Sequence, residues 1–218
     1  MHQQFLDSSE QARVNTAFTE WLYWAPDGRP SPRYDNMGGA IGTAGLLNVL
    51  LRNADIVPIS DMTGIIEFGG IWKKRGGVYG VPAYWVFRMY SNADANRLVE
   101  TRSNGETYNV EQGSTRLPKI ENAPYLDLVA ALNRSGSKLT VFCVNRHLTR
   151  DIETKLSIRG FQPKKATGHS IFAESIYEKN DESDPEQVFP RQTSIAVPSP
   201  QFNYTFRHES VTVIELER

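Results

Sequence analysis

The spacing of apolar side chains changes character near residue 92: helical spacing dominates before it and alternation at period two after it. Val14, Thr16, Ala17 and Phe18 predict a short buried strand over residues 13–20, ending in the carboxylate of Glu20 and followed by Trp21, Tyr23 and Trp24. The turn residues of segment 26–32, with Pro26, Pro30 and Pro32, predict a loop leaving that strand. Ile41, Ala44, Leu47, Leu50 and Leu51 then recur at three- and four-residue spacing, which predicts a buried helix within 36–55. Gly38, Gly39, Gly42 and Gly45 each disfavour that helix by roughly 1 kcal/mol relative to alanine, so close packing against a neighbouring backbone is expected there. Ile56–Ile59 reads as a second strand, and strand, helix, strand at this spacing predicts a parallel pair. The glycine-rich segment 69–80 reads as a long loop holding Trp72 and the solvated basic run Lys73, Lys74, Arg75. Pro82 opens a second helix over 81–91, with Ala83, Val86, Phe87 and Tyr90 on its buried face.

Beyond Ser91, about nine short β-prone runs separated by turn residues predict an antiparallel sandwich. Residues 138–144 are apolar on both sides, as in a central covered strand, whereas 151–158 alternate, as in a half-exposed one. The acidic segment Glu178–Glu186 reads as a solvated loop. The expected fold is therefore α/β plus all-β: residues 1–92 as the last βα units of a (β/α)8 barrel, and 93–218 as a jelly-roll-like β-sandwich. Two strands cannot close a barrel that needs about 250 residues, so the first part reads as the end of a larger enzyme.

Composition narrows the function. With 24 basic and 25 acidic side chains the formal charge is -1, which gives no bulk field for nucleic acid or anionic lipid. No apolar run approaches the ~18 residues of a membrane span. The N-terminus lacks the basic region and apolar core of a secretory signal, which leans the expected compartment toward the cytoplasm. The single cysteine, Cys143, excludes an internal disulfide framework. The four histidines are scattered, so neither a metal nor any other cofactor is expected.

The candidate chemistry centres on Glu20. A carboxylate at a strand end beside aromatic rings suits sugars, because ring faces pack against the C–H faces of a pyranose or furanose. The alternative is a glutamate that merely pairs with a nearby arginine. The same residues carry a family resemblance. Thr19-Glu20-Trp21 after an apolar strand resembles the nucleophile motif of the α-L-arabinofuranosidases of glycoside hydrolase family 51. Residues 38–55, ending Leu51-Arg52-Asn53-Ala54-Asp55, resemble a helix of that family, residues 80–91 its barrel-closing helix, and 202–216 its C-terminal sandwich. The resemblance implies retaining hydrolysis of terminal non-reducing α-L-arabinofuranosides in glycans, with Glu20 as nucleophile and Trp24 lining the sugar site. Trp21 either lines the site or packs beneath it. It also implies an N-terminal barrel portion absent from this sequence and a possible homo-oligomer. Two departures stand out. The family's acid/base glutamate follows an asparagine, and no Asn-Glu pair occurs here; Glu121-Asn122 is reversed and falls in an expected sandwich loop, and Glu67 and Glu100 are no better placed. Where many members have a sugar-contacting glutamine, this chain has Asp61, which could hydrogen-bond a sugar hydroxyl. A non-catalytic module that supports or binds carbohydrate is the competing reading. Against it, Phe142, Phe172, Tyr204 and Phe206 read as core rather than as an aromatic platform.

Overall fold

The computed structural model describes residues 15–23, 33–112, 118–196 and 199–218. The predicted first strand forms as β1 (Ala17–Trp21), but residues 17–20, expected to be buried, are exposed and only Trp21 is buried; the second forms as β2 (Ile59–Met62), three residues beyond the expected span, and the two pair in parallel. Between them lies helix α1 (Met37–Arg52). Its N-cap is Asn36, whose side-chain oxygen accepts from the Gly39 amide at 3.2 Å, the usual way to satisfy a helix's first free amides. The glycines pack as expected: a Cβ on Gly39 would collide with the Arg33 carbonyl at 2.1 Å, and one on Gly42 with the Tyr23 ring at 2.3 Å.

The stripe that α1 buries differs from the predicted one. Met37, Ala40, Thr43, Ala44 and Asn48 are buried, whereas Ile41, Leu47, Leu50 and Leu51 are half-buried. Small side chains let the helix approach its neighbours closely, and the larger leucines take the flank.

The segment read as a long glycine-rich loop contains a hairpin, β3 (Ile71–Lys74) and β4 (Gly77–Gly80). Glycines and a run of cations hide strand character from a pattern reading, yet Trp72 pairs with Tyr79 across it. Helix α2 (Pro82–Ser91) follows, with Pro82 in its first turn and Ala83 and Val86 buried.

The second half is antiparallel throughout its sheets. It comprises β5 (Arg97–Val99), β6 (Thr107–Val110), β7 (Ile120–Pro124), β8 (Leu126–Leu132), β9 (Lys138–Asn145), β10 (Ile152–Ser157), β11 (Lys165–Phe172), β12 (Arg191–Ile195), β13 (Gln201–Phe206) and β14 (Ser210–Glu217). Glu121-Asn122 lies within β7 rather than in a loop, with Asn122 in a left-handed conformation, φ 57°, where the pairing with β6 is irregular. Six strands form one sheet in the order β12-β11-β14-β9-β8-β5. One face of it packs against the β10–β13 pair around Leu139, Val141, Cys143, Phe206, Ile214 and Leu216. The other face is covered by α1 and α2 through Met37, Ala44, Val86, Val144, Ile171 and Val211. Strand β9 is apolar on both sides because it is sandwiched between these two cores.

Where α1 meets the sheet, the contact is polar. Asp127 of β8 is 4 % exposed. Its carboxylate accepts from Arg52 of α1, from Arg146 at 2.9 Å and from Asn48 at 3.2 Å. The Tyr90 hydroxyl of α2 closes the network by donating to Asn48 at 2.8 Å. Burial pushes that phenol well above its ordinary pKa, so it stays a neutral donor. Removing one partner of a buried charge network typically costs about 3–5 kcal/mol. Asp127→Ala is therefore expected to lower the urea-unfolding free energy by roughly that amount, with Asp127→Asn falling between it and wild type. Equal stability of all three proteins would show that the network does not hold the helices to the sheet.

Candidate functional site

In a parallel pair, facing residues point the same way and neighbours alternate. Phe18 faces Ser60 and Trp21 faces Met62, so three steps along β1 match two along β2. The slip is a β-bulge. Between those two pairs lie Thr19 and Glu20 on β1 and Asp61 on β2. Bulges commonly re-aim a side chain beside a functional site. Glu20 and Asp61 are both exposed, at the C-terminal ends of adjacent parallel strands.

Trp21, by contrast, is 6 % exposed, its indole N–H donates to Ser60 Oγ at 2.7 Å, and its ring lies 6.5 Å from that of Phe87 on α2. Trp24 lies outside the described residues. Glu67 and Glu100 are exposed; Glu67 sits in the loop after β2 in a left-handed conformation, φ 65°.

Two residues before Asp61, Ile59 is 56 % exposed, and Ile66 in the following loop is 71 % exposed. The loop after β2 folds back over the strand ends: a Cβ on Gly69 would meet Leu22 at 2.9 Å, and the Phe68 ring lies 5.5 Å from Tyr34. The β3–β4 hairpin continues from this loop. Tyr23 packs against α1, and burial raises its phenol pKa above the ordinary value.

The sandwich also reaches this end. The α1 amides of Met37 and Gly38 donate to the carbonyls of Glu178 and Ile176, both at 2.8 Å. Buried Asn180 donates to the Gly80 carbonyl at 2.8 Å and accepts from the Val188 amide at 2.7 Å. The acidic segment is thus exposed along most of its length but pinned at one end, through a single asparagine whose role the charge pattern hid. Among the described residues no cluster of three or more His, Cys, Asp and Glu is placed to hold a metal ion. None of the described helices is long and apolar enough to cross a membrane.

With this geometry in hand, comparison with known proteins is informative. The family model described as "Alpha-L-arabinofuranosidase C-terminal domain" matches residues 19–210. A probable alpha-L-arabinofuranosidase C of Aspergillus flavus is 22% identical over 196 residues, covering 87% of this chain and 39% of the relative. The alpha-L-arabinofuranosidase of Thermotoga maritima, solved as an arabinose complex, superposes with a TM-score of 0.84 at 28% identity, over 94% of this chain and 44% of that one. A thermostable GH51 alpha-L-arabinofuranosidase from Thermotoga petrophila gives 0.83 at 28% identity, with the same coverage. The chain spans less than half the length of each of these relatives.

Perturbed acids often mark functional sites, but here the clearest case lies off the β1–β2 face. Glu209, in the β13–β14 turn, is 4 % exposed and has a left-handed backbone, φ 46°. One carboxylate oxygen is buried without a partner. Burial first, then the nearby carboxylates Glu178 and Glu174, raise its pKa to about 7. A raised folded-state pKa means the neutral form suits the fold. Its contribution is complete below the ordinary value of 4.5 and is lost as pH rises through about 7. Glu209→Gln should remove this loss and stand on the order of 2 kcal/mol above wild type at pH 8, with the two nearly equal at pH 4.5. Denaturant unfolding at the two pH values reads the difference, and parallel curves at both would refute it.

Proposed function

This chain belongs to the alpha-L-arabinofuranosidase C-terminal domain family, and from that premise we propose that it is the nucleophile-bearing C-terminal part of a retaining glycosidase. Its substrates are glycans carrying terminal, non-reducing α-L-arabinofuranosyl residues. Residues 1–92 contribute the last βα units of a (β/α)8 barrel, and residues 93–218 form the sandwich that holds them. One observation carries the reading: Glu20 and Asp61 are both exposed near the C-terminal ends of adjacent parallel strands, with the exposed Ile59 two residues before Asp61. An exposed apolar surface of this kind marks an interaction site, and the remaining barrel strands are its natural cover.

Retaining hydrolysis needs two carboxyl groups about 5–5.5 Å apart. Glu20 is the nucleophile. Its carboxylate bonds to the anomeric carbon while the leaving oxygen takes a proton from the second carboxyl group. That group then deprotonates water, which attacks the same carbon and frees both arabinose and Glu20. Asp61 hydrogen-bonds a sugar hydroxyl, Trp24 lines the sugar site, and Trp21 supports it from below. The acid/base belongs to a strand that this chain lacks, so the chain by itself should not turn over an aryl α-L-arabinofuranoside.

In an enzyme completed by the other barrel strands, Glu20→Gln should lower turnover by several orders of magnitude and leave the unfolding midpoint nearly unchanged. Azide should partly rescue Glu20→Ala and yield the β-arabinofuranosyl azide, inverted at the anomeric carbon. A Gln variant keeping more than about a tenth of wild-type turnover would sink the assignment, since ~1.4 kcal/mol is too small for a covalent catalyst. Loss of stability with activity retained would instead mark Glu20 as a structural ion-pair partner.

A further inference from the structure

A second recess lies on the far side of α2 from Glu20. Trp85, Arg88, Met89 and Asn92 recur at three- and four-residue spacing and share one face of α2. Phe87, which touches Trp21, projects from the opposite face, so the thickness of a helix separates the recess from the β1–β2 carboxylates. The facing wall comes from the sandwich: His169 of β11, Glu215 of β14, and Phe189 with Pro190 before β12. The cleft encloses about 340 Å³, at the small end of ligand sites and too small for a docked helix.

Its lining is amphipathic in a particular way. Trp85 and Phe189 meet edge-to-face at 6.2 Å, which places two aromatic rings in the lining. The Arg88 guanidinium lies over the Trp85 ring at 5.3 Å. Charge is balanced: Glu215 is held by Lys138 at 3.2 Å and lies 3.8 Å from His169, and Arg88 is the one lysine or arginine among the lining residues. Ring edges, a guanidinium, an amide and an imidazole in one small cleft complement a neutral, hydroxyl-rich ligand rather than an anion or a lipid chain.

We propose that this cleft is a non-catalytic subsite for one or two units of a neutral oligosaccharide. Trp85 and Phe189 supply the apolar contact, and Arg88, Asn92 and His169 meet the hydroxyls. Such a subsite keeps a glycan chain on the enzyme while the arabinofuranosyl end is sought elsewhere. It does not depend on Glu20 being a nucleophile.

The test is a ¹H–¹⁵N NMR titration of the 218-residue chain with linear arabino- and xylo-oligosaccharides. Trp85→Phe identifies the indole resonance and trims the apolar wall while keeping a ring. Saturable shifts centred on the Trp85 indole are expected, with Kd in the millimolar range, typical of a small solvent-exposed sugar contact. Arg88→Ala and Asn92→Ala, both at exposed positions, should each weaken binding about fivefold or more, a loss of roughly 1 kcal/mol. No shift up to about 20 mM saccharide would overturn the proposal, since weaker binding could not matter. Binding unaffected by Trp85→Phe and Arg88→Ala would overturn it too, as would shifts centred on β1 and β2 instead of the cleft, which would place the sugar on that face. Indole shifts that follow protein concentration without sugar would assign the cleft to a second copy of the chain, and that also overturns it.

Discussion

Asp127 holds the two halves of the molecule in register. Its carboxylate sits on β8, deep under α1, and gathers Asn48 and Arg52 from the helix and Arg146 from the end of β9. Apolar packing between α1 and the sheet is non-directional and would tolerate a slide or a rotation. A buried charge with several fixed donors does not, because any displacement leaves it unpaired in a poor solvent for ions. Such networks are weak sources of net stability and strong sources of specificity in this setting: the helix has one place to sit.

From that constraint the candidate site follows. Helix α1 connects β1 to β2, so fixing it on the sandwich fixes the strands that carry Glu20 and Asp61. At the other end of α1, its first amides rest on carbonyls of Ile176 and Glu178, and Asn180 ties the same segment to the end of β4. The sandwich therefore grips α1 at both ends and steadies the loops over the carboxylates. What it leaves exposed are Ile59 and the two acids of β1 and β2. The chemistry proposed for Glu20 is on the side that the scaffold does not cover.

Much of this was legible in the sequence, for physical reasons. Helical spacing at Ala83, Val86, Phe87 and Tyr90 and continuous apolarity over 138–144 reflect burial on one face and on two; both elements formed, but of that helix face only Ala83 and Val86 are buried, and Phe87 turns toward Trp21. Glu20 at a strand end was legible too. The β3–β4 hairpin was not, since Gly76, Gly77 and three cations carry no strand pattern; its pairing depends on Trp72 and Tyr79 meeting across the turn. The stripe of α1 was read only in part: Ala44 is buried and Ile41 and Leu47 pack against the core as expected, but close approach favours Ala40 and the glycines over the leucines that hydrophobicity points to. Asp127 and Asn180 were invisible for a different reason. A buried polar residue is recognised by its partners, and among these Arg52 and Gly80 lie 75 and 100 positions away in sequence. The aromatic pair Trp85–Phe189 is likewise a product of folding.

The central claim is that Glu20 attacks the sugar, and covalent trapping tests it most directly. A 2-fluoro arabinofuranosyl donor with a good leaving group slows release of a glycosyl-enzyme more than its formation, so the intermediate accumulates. Applied to the barrel-completed enzyme, followed by proteolysis and mass spectrometry, it should add one sugar to the peptide containing Glu20, through an ester on that side chain. A label on any other carboxylate, or complete inactivation with Glu20 unmodified, would contradict the account.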